Sequence, residues 1–182
     1  MTAVKIDGHV IDVLFSEPEI ARRVERMAED IARVKPERLL IVPILKGSFV
    51  FAADLMRACH RAGLSPEVDF MMLASYREST VSSGHVDILR DIATDVRGRD
   101  VLLIDDILES GRTLAYAKDL LSARGARRVM TAVLLDKSGR RAAEIEADFK
   151  GFDCPDKFVV GFGMDMGHAF RELPFVGYVV RE

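Results

Sequence analysis

Three runs in this chain are apolar almost without interruption: "RLLIVPIL" (38–45), "DVLLID" (100–105) and "RRVMTAVLL" (127–135). A strand with one face in water alternates apolar and polar residues. A strand buried on both faces does not, and such strands belong to parallel sheets covered by helices on either side. The stretches between them are spaced as helices. Ser16 offers an N-cap with Glu19 three residues on, and Ile20, Val24, Met27, Ile31 and Val34 recur at helical spacing, which predicts a helix over 17–34. "SFVFAADLMRACHRAG" (48–63) predicts a second helix closed by Gly63, and 112–124 a third ending near Gly125. Strands are expected at 9–15 and 68–73, and short ones near 145–149, 157–162 and 175–180. The last group does not continue the alternation and is expected to form a small hood over one edge. Residues 74–91 are polar and Ser/Gly-rich, as in a loop or hairpin. The expected fold class is α/β, a mainly parallel twisted sheet with helices on both faces, in a single domain over 1–182.

A chain of 182 residues can bury a substantial core, and no internal repeat or linker interrupts it. A formal net charge of −3 argues against a nucleic-acid backbone as partner. Cys59 and Cys154 stand far apart with no C-x-x-C, which indicates neither a disulfide framework nor a zinc knuckle and fits a reducing cytoplasm. No basic-then-apolar leader opens the sequence and no run reaches the length of a membrane span, so neither secretion nor a membrane is expected. His9, His60, His85 and His168 are scattered without metal-ligand spacing.

In "VLLIDDILESGRT" (101–113), Asp105 and Asp106 stand side by side where an apolar strand ends. Adjacent carboxylates repel, and burying either is costly without a partner, so such a pair has something to hold. In open α/β sheets ligands lie beyond the carboxyl ends of the strands. The Ser/Gly turn that follows feeds a helix, and its backbone N–H groups and the helix dipole suit a phosphate. The carboxylates suit vicinal hydroxyls or magnesium, and the whole describes a site for a phosphorylated sugar. The plainer alternative is a strand end with solvated acids before a Ser-capped helix. A Walker-B strand would require G-x-x-x-x-G-K-[ST], which the chain lacks.

Those thirteen residues resemble the phosphoribosyl-pyrophosphate (PRPP) loop of the type I phosphoribosyltransferases: apolar residues, two acids, two apolar residues, an acid or small residue, Ser/Thr, Gly, any residue, Thr. "ILKGSFVFAADLMR", "SYREST" with "SSGHVDILRD", "LLDK", "PDKFVVGFGMD" and "FRELPFVGYV" resemble, in order, segments of the hypoxanthine/guanine branch of that family. The resemblance implies magnesium-dependent transfer of 5-phosphoribosyl from PRPP to N9 of a 6-oxopurine, in a homodimer or homotetramer. It implies that Lys46, Gly47, Asp105, Asp106, Glu109, Ser110, Gly111, Arg112 and Thr113 bind PRPP, the paired acids on the ribose hydroxyls and the loop 109–113 on the 5′-phosphate. Lys137 would read the 6-oxo group, Phe158 stack on the base, and the Val159 backbone reach its Watson–Crick edge. Asp165, with Asp105 and Asp106 as further candidates, would hold magnesium. Arg171 would contact the leaving pyrophosphate, and Glu109 would exchange the proton at N7. Ser75 and Tyr76 would begin a mobile loop that closes over the reacting centre and excludes water. In this family the peptide before the lysine of the first loop can be cis.

Each residue has a plainer reading: Lys46 and Lys137 as solvated strand-end cations, Phe158 as core, Asp165 as a solvated acid, Glu109 as an acid favoured at a helix start. Lys137 carries the base preference. An ammonium has only donors, so it suits a 6-oxo acceptor and meets adenine's 6-amino group donor to donor, at about 1–3 kcal/mol. The chain departs from the family twice. Glu109 stands where aspartate is more usual, and Met166 follows Asp165 where an aromatic residue is common. The rival readings are a non-catalytic PRPP or nucleotide sensor, which should show a basic face or an added DNA-binding domain, and an enzyme for xanthine, which differs at a position read largely by backbone.

Overall fold

A computed structural model describes residues 3–6, 8–75 and 86–180. Two antiparallel strands open the chain, β1 (Ala3–Ile6) and β2 (His9–Phe15). Helix α1 (Glu17–Arg33) follows, its first turn closed by the Glu19 carboxylate accepting from the Ser16 N–H at 2.8 Å. Its buried stripe is Ile20, Val24, Met27, Ala28 and Ile31, the periodic set of the sequence with Ala28 added and the exposed Val34 left out. Then come β3 (Leu40–Leu45), α2 (Phe49–Arg61), β4 (Glu67–Val68), β5 (Met71–Ser75), β6 (Val86–Arg90), β7 (Asp100–Leu108), α3 (Arg112–Ala123) and β8 (Arg128–Asp136). A 3-10 turn at Ser138–Arg140 leads to β9 (Phe149–Asp153), β10 (Val159–Val160) and β11 (Val176–Val180).

The main sheet runs β6-β5-β3-β7-β8-β9, with β4 also on β3. Every pairing in it is parallel except that of β6 with β5. The three apolar runs are its centre. Ile41, Leu102, Ile104 and Ala132 pack in one cluster with α1 and α2, whereas Leu40, Val42, Val101, Leu103 and Val133 pack in another with α3. Successive residues face opposite helical layers, which is why no polar alternation marks these strands. The hood is a second, antiparallel sheet of order β1-β2-β11-β10.

Several boundaries differ from expectation. β7 does not end at Asp105 but runs to Leu108, because β8 continues to pair with it through Ile107↔Leu135 and Leu108↔Asp136. The strand expected at 68–73 is split into β4 and β5, both on β3. The break is held by the Asp69 carboxylate, which accepts from the N–H groups of Phe70, Ala93 and Thr94. The strand expected near 145–149 lies at β9 instead. Residues before it are held irregular by the Ala142 and Ala143 N–H groups, which donate to the Ser110 carbonyl at 2.9 and 3.1 Å. Of 157–162 only β10 pairs with another strand, since Gly161 (φ +93) turns the chain back to bridge Met164 instead. The hairpin reading of 74–91 is met where β5 and β6 pair; its tip lies outside the described residues.

The N-terminal end of β7 is anchored by Asp100, fully buried, which accepts from Arg127 (2.9 and 2.6 Å), Arg128 (2.7 Å) and the Glu37 N–H (2.9 Å). Burial alone would raise this carboxyl, but these bonds outweigh it and hold it below the usual carboxylate range. Asp100→Ala should cost about 2–3 kcal/mol in urea unfolding at pH 7. This is below the ~3–5 kcal/mol of a fully buried pair, because both arginines are partly exposed. The folded-state pKa lies below the unfolded one. The contribution is therefore present above about pH 4 and lost as pH falls through the folded value, so the gap to wild type should narrow on acidification.

Candidate active site

The chain leaves β3 to pair on one side with β5 and returns to its other side as β7, which makes the β3/β7 junction the switch point of the sheet. Their pairing stops at Pro43↔Ile104, and the strands part beyond it. Lys46 and Gly47 follow β3 on one lip of this crevice, and Asp105 and Asp106 lie on β7 on the other. The Leu45–Lys46 peptide is cis. Gly47 touches Asp106 so closely that an added Cβ would lie 1.7 Å from Asp106 Oδ2. Gly163 (φ +98) packs in turn on the Gly47 carbonyl, where a Cβ would lie 2.2 Å from the oxygen. Only glycine fits at either position.

Two cavities open from the crevice. The smaller, about 230 Å³, is lined by Lys46, Gly47, Asp105, Asp106, Glu109, Ser110, Gly111 and Thr113. Gly111 (φ +79) is the N-cap of α3, so the loop meets the helix start in a left-handed turn suited to glycine. Arg112 opens α3, is exposed, and lines neither cavity. The larger cavity, about 600 Å³, shares Lys46, Gly47, Asp106 and Glu109 with the first and adds Lys137, Arg140, Asp156, Phe158, Val159, Asp165 and Arg171. Phe158 is 63% exposed, so it is not core. β5 lends Met72, Leu73 and Ala74 to the wall; Ser75 ends that strand, and Tyr76 lies outside the described residues. A separate cavity of about 710 Å³, lined by Asp136, Arg141 and Lys150, holds none of the residues singled out in the sequence.

The charges in the crevice are uneven. Burial, and after it the charge of Asp106, push the Asp105 carboxyl well above the usual range. Asp106 is raised too, by burial, although the Ile107 N–H (2.8 Å) and the positive Arg171 pull against the shift. A ligand that donates hydrogen bonds or brings a cation would relieve this pair. Opposite them, Lys137 is buried and donates to Asp156 Oδ1 (3.0 Å), Glu109 Oε1 (3.1 Å) and the Lys157 carbonyl (3.2 Å). Burial works to lower its pKa, but the Asp156 and Glu109 carboxylates outweigh it and raise the value. Asp165 pairs with Arg171 at 2.9 Å and accepts from the His168 N–H at 2.7 Å. Arg171 also donates to the Gly163 carbonyl at 2.6 Å.

Asp156 and Arg140 carry no sequence signal of their own. They join the site only because the 3-10 turn after β8 meets the turn before β10. Among the described residues no three His, Cys, Asp or Glu side chains come together as a metal site. Asp106 and Asp165 do line one cavity. That arrangement fits magnesium, which takes one or two carboxylates and completes its shell with water and phosphate oxygens.

The phosphoribosyl transferase domain matches this chain over residues 11–166. The hypoxanthine-guanine phosphoribosyltransferase of Streptococcus pyogenes is 39% identical over 178 residues, 97% of each chain. That of Bacillus subtilis is 43% identical over 166 residues, 91% of each. The solved hypoxanthine phosphoribosyltransferase of Staphylococcus aureus is similar with a TM-score of 0.87 at 36% identity, over 93% of this chain and 91% of that one. The chain belongs to the type I phosphoribosyltransferases. Within them it falls in the hypoxanthine-guanine branch.

The raised Asp105 has a consequence for stability. Its folded-state pKa exceeds the unfolded one, so the carboxyl is neutral in both states below about pH 4; the cost grows as pH rises above the unfolded value and is complete once pH has passed the folded one. Asp105→Asn should therefore raise Tm at pH 7.5, with a gain that shrinks toward zero by about pH 4. Equal Tm values for variant and wild type at pH 7.5 would contradict the raised pKa.

Proposed function

We propose that this protein is a purine-salvage enzyme that transfers the 5-phosphoribosyl group of PRPP to N9 of hypoxanthine or guanine, giving IMP or GMP and pyrophosphate. The observation that carries the reading is the 3.1 Å separation of Lys137 Nζ and Glu109 Oε1 at one side of a cavity that Phe158 also lines. In a 6-oxopurine, O6 and N7 lie on one edge. O6 accepts from Lys137, and N7–H donates to Glu109, a matched donor–acceptor pair in the same order.

The smaller cavity suits the ribose 5-phosphate. Asp105 and Asp106 accept from the ribose hydroxyls, and the N–H groups of 109–113, aided by the α3 dipole, take the phosphate. As N9 bonds to C1′, the bond from C1′ to the pyrophosphate oxygen breaks and the N7 proton passes to Glu109, so no charge is stranded on the base. Lys46, the Gly47 backbone and Arg171 hold the departing pyrophosphate. Magnesium held by Asp165, with Asp106 and Asp105 nearby, would offset its negative charge. Phe158 stacks on the base, worth ~1–3 kcal/mol, and the Val159 backbone meets its Watson–Crick edge. Ser75 and Tyr76 begin the segment that shuts out water. We assign the chain one catalytic domain over 1–182 acting in a homodimer or homotetramer. Its two free, buried cysteines suit a reducing cytoplasm, and among the described residues no helix is long and apolar enough to cross a membrane.

Two measurements test this. Adenine should be used at least tenfold less efficiently than hypoxanthine in kcat/KM, since facing donors cost about 1.4 kcal/mol or more; equal values would exclude Lys137 as the reader. Glu109→Gln keeps the shape of the side chain and removes its titration. It should lower the single-turnover rate ~10²–10⁴-fold with PRPP affinity near wild type. A variant within threefold of wild type would take Glu109 out of the mechanism.

A further inference from the structure

Lys137, Glu109, Asp156 and Arg140 close a ring of alternating charge at the mouth of the larger cavity. The Lys137–Glu109 and Lys137–Asp156 contacts are 3.1 and 3.0 Å, Arg140–Asp156 is 3.2 Å, and Arg140–Glu109 is 3.8 Å. The ring ties together the 109–113 loop, the turn after β8 and the turn before β10. Its two halves differ in environment. The Lys137 and Glu109 side chains are 9% and 21% exposed, whereas those of Arg140 and Asp156 are 60% and 55% exposed.

An ammonium has three N–H donors, and the Lys157 carbonyl takes the one that the two carboxylates leave. A base can therefore bind its 6-oxo group to Lys137 only by displacing a partner already there. If Glu109 were the sole carboxylate on Lys137, the base would have to part a buried ion pair and leave the lysine uncompensated, which is costly. With Asp156 holding the same ammonium, the lysine keeps a counter-charge when Glu109 turns to N7–H. Arg140 fixes the second oxygen of Asp156 and so fixes where the first one points.

We propose that Asp156, steadied by Arg140, is a positioning residue that sets purine affinity by keeping Lys137 compensated while it exchanges Glu109 for the base oxygen. The inference rests on Lys137 as the reader of the base. It does not require Asp156 to touch substrate. Because the Arg140–Asp156 pair is solvent-exposed and Glu109 still compensates Lys137 when no base is bound, removing Asp156 should leave stability nearly unchanged.

The test compares Asp156→Asn, Asp156→Glu and Arg140→Gln with wild type by steady-state KM for hypoxanthine and for PRPP, single-turnover rate at saturating base, and Tm. Asp156→Asn should raise the hypoxanthine KM about tenfold, with PRPP KM within twofold, rate within threefold and Tm within 2 °C. Asp156→Glu should recover most of that loss, and Arg140→Gln should raise the hypoxanthine KM about two- to threefold. A hypoxanthine KM within twofold of wild type in Asp156→Asn, or a matching rise in PRPP KM, overturns the proposal. Lys137→Met separates the two readings. If it raises the hypoxanthine KM while Asp156→Asn does not, only the role of Asp156 fails; if it leaves that KM unmoved, base reading by Lys137 fails and the inference falls with it.

Discussion

Among the described glycines the tightest approach is that of the Asp106 carboxylate to Gly47, and the rest of the site is arranged around it. The acid comes from the central strand β7 and the glycine from the turn that ends β3, so the contact fixes the width of the crevice where the two strands part. Gly163 backs Gly47 from the other side, exchanges hydrogen bonds with Arg171, and through it reaches Asp165. One chain of contacts thus runs from the acids proposed to hold ribose to the groups proposed to hold pyrophosphate. Most of its links are backbone or glycine, which have no rotamers to order when substrate arrives.

The two ends of β7 show how environment divides acids by role. Asp100 is buried among arginines and an amide, and its carboxyl is held low. Asp105 and Asp106 are raised by burial and, for Asp105, by each other's charge. The first end is electrostatically satisfied and anchors the strand. The second carries a cost that a bound hydroxyl or cation would relieve, so the strand is firm at one end and strained in charge at the end proposed to bind ribose.

Much of this was legible in the sequence. Strands buried on both faces cannot alternate, so β3, β7 and β8 announce themselves as apolar runs, and the capping box of α1 is local enough to read directly. The loop 109–113, proposed to take the phosphate, is equally local, since a glycine turn at a helix start needs only Gly111 and its neighbours in sequence. What failed to show depends on partners. β7 looks finished at Asp105 because acids rarely sit inside buried strands, and only pairing to β8 carries it to Leu108. Phe158 looks like core because "FVV" is apolar, yet its ring faces outward beside a cavity. Asp156 and Arg140 acquire meaning only once two distant turns meet, and no spacing rule reports that.

The two departures from the family fall on opposite sides of Phe158. Met166 lines a separate cavity of about 480 Å³ with His9, Val10, Phe158 and Val179, and packs with the hood cluster around Ile11 and Phe170. It lies on the hood side of Phe158 and is absent from the lining of the cavity where the base is proposed to sit. Glu109 lines the cavity where the base is proposed to sit. An aspartate at the same backbone position would end about 1.5 Å short of it, one carbon–carbon bond less. The extra methylene lets the carboxylate reach Lys137 at 3.1 Å from a loop whose path is fixed by the Ser110 carbonyl and the Gly111 turn. The longer acid therefore requires no movement of the 109–113 loop. It spans the gap, and the second carboxylate at Asp156 keeps that span from becoming a closed pair that no base can enter.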